Sequence, residues 1–138
     1  MNDEELTTPM GLDRIVRFNR QHLRPKRKTI RVFLEDLVGD GAEVTWKQDQ
    51  RRFYVDFPGA PSHPLRRCDA RALGLTESMA KCIETNTLYH DKRWIEVWLG
   101  RDVIYVMTRF QDPFVNAIAK EIATLLAHYW QGKYDSED

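Results

Sequence analysis

Residues 93–109, RWIEVWLGRDVIYVMTR, constrain this chain more than any other stretch. Branched and aromatic side chains alternate on both sides of one glycine, the pattern of two half-buried strands joined by a tight turn. Gly100-Arg101 is expected to form that turn, with glycine at the first central position of a type II′ geometry. Trp98 then lies opposite Val103, Glu96 opposite Tyr105, and Trp94 opposite Met107. One face carries only Ile95, Val97, Leu99, Ile104 and Val106; the other carries Trp94, Glu96, Trp98, Tyr105 and Met107. The aliphatic face needs an amphipathic layer against it. The aromatic face makes a separate demand, because aromatic side chains bury roughly 150–250 Å² each. Even half covered, this face would leave about 400 Å² of apolar surface, the upper range for a soluble monomer. The rest of the chain, a second copy or a foreign partner must cover it.

The C-terminal segment supplies the amphipathic layer. Asp112 is a helix cap and Pro113 suits the first helical position. Val115, Ile118, Ala119, Ile122, Leu125, Leu126 and Tyr129 then form one stripe, with Gly132 as the stop. At the other end, Thr8-Pro9 and the spacing of Leu12, Ile15, Val16 and Leu23 predict a helix that stops at Arg24, before Pro25. KTIRVFLEDL alternates, with Ile30, Val32 and Leu34 on one side, and predicts a strand. EVTWKQ and RRFYVDF predict a hairpin, closed off by the proline-rich PGAPSHP. TESMAKCIETNTL predicts a helix capped by Thr76. The expected fold is α+β, order α-β-β-β-α-β-β-α, with a mainly antiparallel five-stranded sheet. The first and last helices are expected to pack on the aliphatic face. A chain of 138 residues with 42% hydrophobic content suffices for one domain and one core, with residues 1–8 and 133–138 as frayed tails.

Lys+Arg and Asp+Glu number 21 each, so no global charge draws the chain to nucleic acid or an anionic membrane. The opening MNDEELTTPMG lacks a secretory pattern and no apolar run approaches a membrane span. Cys68 and Cys82 do not suggest a disulfide framework. A cytoplasmic protein without membrane contact is expected. His22, His63, His90 and His128 fall on four different elements, and none stands at ligand spacing from a cysteine, so no metal or cofactor is expected. No phosphate-cradling glycine loop or nucleophile elbow appears. Cys68 follows Arg66-Arg67, but an enzyme would also need a base and an acid brought to it by the fold.

One charged segment stands apart. RPKRKTIR, residues 24–31, places Arg24, Lys26, Arg27, Lys28 and Arg31 within eight positions. With Phe33, Tyr54 and Trp46 as stacking platforms, this arm is the alternative functional surface, a track for single-stranded nucleic acid.

The order of elements, from LDRIVRF through KTIRVFL, TWKQDQRRFYVDF and the hairpin to DPFVNAIAKEIATLLAHYW, resembles the small dimeric chaperones of type III secretion systems and their structural relatives. That resemblance implies an antiparallel sheet, a homodimer and a groove for an extended client segment. Those chaperones are acidic, whereas this chain is neutral with a basic arm. The expected function is a non-enzymatic protein-interaction module, a homodimeric adaptor, chaperone or inhibitor of a client protein. Its anchors are Trp94, Trp98, Tyr105 and Met107, with Glu96 and Arg109 as polar partners at the rim.

Overall fold

The computed structural model describes residues 12–39, 42–57, 94–108 and 113–135. It is an α+β fold. Six strands form one sheet: β1 (Leu12–Arg17), β2 (Glu43–Lys47), β3 (Arg52–Asp56), β4 (Trp94–Leu99), β5 (Val103–Thr108) and β6 (Lys133–Tyr134). Their spatial order is β2-β3-β4-β5-β1-β6 and every neighbouring pair is antiparallel. Two helices are described, α1 (Arg27–Val38) and α2 (Pro113–Trp130).

The two hairpins and α2 form where the residue patterns place them. The β4–β5 register differs, however: Trp98 pairs with Tyr105, Glu96 with Met107 and Leu99 with Ile104. The Gly100 N–H donates to the Val103 carbonyl at 2.8 Å, so Arg101 and Asp102 occupy the tip. Glycine is needed at position 100 for a close approach, since a Cβ there would lie 2.5 Å from Val103 Cγ1. The register slips by two residues, an even number, so every side chain keeps its face.

Two element assignments are overturned. Residues 12–17 are strand β1, seated between β5 and β6, and not the middle of a helix. Ile15, Val16 and Leu12 fit a helical stripe, but Arg14 is buried on the same side of the strand as Val16 and hides the alternation. The ladder offered by β5 then decides in favour of the strand. Residues 27–38, expected as a strand, are α1. Ile30, Leu34 and Val38 are its buried residues, spaced i, i+4, i+8, with Phe33 and Leu37 half-buried beside them. Period 2 and period 3.6 agree on Ile30 and Leu34 and disagree on Val32, which is 56% exposed. Arg31 and Glu35 pair at i,i+4, and Gly39 ends the helix at φ 68, a conformation that favours glycine.

The described order is thus β-α-β-β, then β-β-α-β, with six strands and not five. Lys133 and Tyr134, expected in a frayed tail, form β6 beside β1. The helix predicted around Thr76 lies outside the described residues, as do residues 1–8 and both cysteines. One hydrophobic core joins Val55, Ile95, Val97, Ile104 and Val106 of the sheet to Ile30 and Leu34 of α1 and Ile118, Ile122 and Leu126 of α2.

Candidate interaction surfaces

Trp94, Glu96, Trp98, Tyr105 and Met107 share one side of the β4–β5 hairpin. Cross-strand pairing extends it sideways: Arg52 beside Trp98, Tyr54 beside Glu96, Asp56 beside Trp94, and Ile15 and Asp13 beside Tyr105 and Met107. Trp94, Trp98, Tyr105 and Met107 are half-buried. Glu96, expected at a rim, is instead 2% exposed. The Trp94 indole N–H donates to Glu96 Oε2 at 3.0 Å, and the Trp98 indole N–H donates to Oε1 at 2.9 Å. The Arg52 guanidinium pairs with Oε1 at 3.2 Å and lies 3.3 Å from the centre of the Trp98 ring. A carboxylate taken out of water needs such donors, because an uncompensated buried charge is strongly destabilising. Both tryptophans therefore turn their polar edges inward, and Arg52 covers one ring. Arg109 lies outside the described residues.

The basic arm is drawn into a cleft of about 550 Å³ lined by Arg24, Lys26, Arg27, Lys28, Thr29, Trp46, Arg51 and Leu99. Four of the five cations read from the sequence meet here. Arg31 does not; it pairs with Glu35 and lies over Phe53. Arg51, placed by the β2–β3 turn in the left-handed region at φ 53, joins them unforeseen. Arg24 is a fixed strut: its Nε–H donates to the Gly100 carbonyl at 2.7 Å and Nη1 to the Pro25 carbonyl at 2.8 Å. Arg27 lies over the Trp46 ring and donates to Gln48 Oε1, which also accepts the Trp46 indole N–H. The three aromatics expected as platforms part company, since the Tyr54 hydroxyl donates to Gln50, Trp46 packs on Phe53, and Phe33 turns to α2.

A third surface, a concave one, has no counterpart in the expectations. A groove of about 800 Å³ runs between the helices, walled by Val32, Phe33, Leu37, Leu125, Tyr129 and Trp130, with Lys28, Thr29 and Asp36 at its margin. Phe33 meets Tyr129 and Trp130 edge to face, with centroids 6.2 and 5.5 Å apart. Reading residues 27–38 at period 3.6 would have put Phe33 and Leu37 on a helix flank, and that signal could have found the groove.

Among the described residues no three His, Cys, Asp or Glu side chains gather to hold a metal ion, and no helix is long and apolar enough to cross a membrane. No protein-family model, curated protein or solved structure matches this chain.

Proposed function

We propose that the protein is a non-enzymatic protein-interaction module. In this proposal the α1–α2 groove receives apolar side chains of a partner protein, and two copies associate across the aromatic hairpin face. The groove is the observation that carries it. Val32 and Tyr129 stand 56% and 54% exposed on its lips, beside the buried Leu34 and Leu126. Large apolar side chains left open around a concavity suit docking, and aromatic residues make the commonest anchors. The edge-to-face packing of Phe33, Tyr129 and Trp130 holds the wall in shape, so little side-chain freedom is lost when a partner binds. With the helices on the aliphatic side of the sheet, as the proposal has them, Ile15, Tyr105 and Met107 supply a half-exposed apolar row for a second copy. The likeness to secretion chaperones rests on an order of elements that the described residues do not follow, and the proposal does not draw on it.

Selection from a displayed random-peptide library tests the groove. Val32→Arg and Tyr129→Ser change exposed side chains and leave the core intact. Peptides that bind the native chain and fail on both variants are the expected result; binders indifferent to both would sink the groove. Light scattering behind a sizing column tests self-association. A mass twice the 16.3 kDa of the chain, reverting to one copy in Tyr105→Arg, is expected. Tyr105 is a cleaner probe than Trp98, whose indole holds Glu96. A monomer at every concentration removes the second copy.

A further inference from the structure

The cleft at the start of α1 breaks several local rules together. Lys26, Arg27 and Lys28 stand at the positive end of the helix dipole, where acids and not bases are favoured. The first turn holds no acid, and no side chain caps it. Arg24 and Arg51 face the same space. Burial first, and then the charge of Arg51, hold the Arg24 guanidinium below its ordinary value. Among the described residues, ion pairs join Arg31 to Glu35 and Arg52 to Glu96, and none involves Arg24, Lys26, Arg27, Lys28 or Arg51. No acid among the described residues is set against these bases. Local rules broken without compensation mark places where function outweighs stability.

We propose that this cleft binds linked phosphate groups, such as those of a nucleoside di- or triphosphate or a free polyphosphate. The site is independent of the docking groove, although Lys28 and Thr29 line both. Five cations exceed what one phosphate neutralises, and about 550 Å³ falls within the usual range of small-ligand sites. Guanidinium forks match phosphate oxygens, and the open N–H groups of a helix start add donors of the right sign. Arg24 is already fixed by two backbone carbonyls and Arg27 by Trp46 and Gln48, so two of the five cations are ordered before a ligand arrives.

Titration calorimetry at low salt, with sodium tripolyphosphate, ATP and a single-stranded oligothymidylate as separate ligands, tests the site. The expected result is saturable binding of tripolyphosphate or ATP that weakens as salt rises. Tighter binding of ATP identifies a nucleotide as the source, and equal binding a free polyphosphate. Lys26→Asp removes a cation and supplies a good helix cap. It is expected to raise the melting temperature while weakening binding at least about tenfold. Arg51→Asn, with a residue at home in the left-handed region, is expected to weaken binding without lowering the melt. No saturation by either small ligand up to about 1 mM overturns the proposal. So does binding unchanged in Arg51→Asn. Binding of the oligonucleotide alone also overturns it, because contacts would then be spread over a surface and not gathered in the cleft.

Discussion

The aromatic hairpin face and the α1–α2 groove are both dense in aromatic residues, yet they use them in opposite ways. On the hairpin face, Trp94 and Trp98 direct their N–H groups at Glu96, and Arg52 lies over the Trp98 ring. Much of that aromatic surface is engaged within the chain. In the groove the rings meet one another edge to face, and Val32 and Tyr129 remain open. Aromatic density along a sequence therefore does not identify a docking surface. What matters is how much apolar area remains after the ring edges and polar atoms have found partners.

The largest effect that would test this contrast lies under the groove. Ile30→Ala, in the core, is expected to cost about 2–5 kcal/mol, whereas Val32→Ala, on the lip, should stay within about 0.5 kcal/mol. Urea unfolding of both variants measures the difference; equal losses would mean that Val32 is core and the groove is closed. On the hairpin face, Arg52→Leu is expected to cost about 3 kcal/mol, because it withdraws the cation from the buried Glu96. Two indole donors remain, which keeps the loss from being larger. A change no greater than that of an ordinary surface substitution would show that the cluster is not what holds the face.

Two smaller effects sharpen the comparison. The Tyr134 hydroxyl is buried with no hydrogen-bond partner among the described residues, the reverse of Glu96. Tyr134→Phe is expected to leave stability unchanged or raise it by up to about 1 kcal/mol, read from the urea midpoint. The smallest effect concerns Asp56, paired with Trp94 at the end of the aromatic face. Burial and the facing Glu43 raise its carboxyl above the ordinary value, and Lys47 offsets part of the rise. The folded chain then binds this proton more tightly than the unfolded one. Stability from this group rises as pH falls through the raised value and is complete below the ordinary carboxylate value. Asp56→Asn is expected to gain about 0.2–0.5 kcal/mol at neutral pH after solvent screening. Thermal melts across the acidic range should show that gain vanish; a gain that persists at low pH would assign it to packing.

Several parts of the fold were legible because their signals are local. Strict alternation about Gly100 specified the hairpin and the side of every residue on it, even though the turn lies one residue further along. The stripe from Val115 to Leu126 specified α2, and all but its flank at Leu125 and Tyr129 is buried as read. EVTWK and RFYVD paired as expected, Trp46 facing Phe53. Of the candidate sites, four members of the basic arm do converge, and the hairpin aromatics do share a face. The partners that give those residues their roles were not legible. Arg51 reaches the cleft through a turn conformation, and Gly100 reaches Arg24 from 76 positions away.

By itself the sequence determined where the chain alternates, where it turns, and which side chains of each clear element share a face. Those properties follow from neighbours within a few residues. Only the tertiary structure decided between strand and helix at residues 12–17 and 27–38, because Arg14 hides the alternation of the first and both periods share Ile30 and Leu34 in the second, until a ladder or a core was present to choose. It also decided that Glu96 is a buried carboxylate held by Trp94, Trp98 and Arg52, and that five cations line one cleft with no acid among its described lining residues. Those outcomes depend on which distant groups fill the space around a side chain, and no local spacing encodes them.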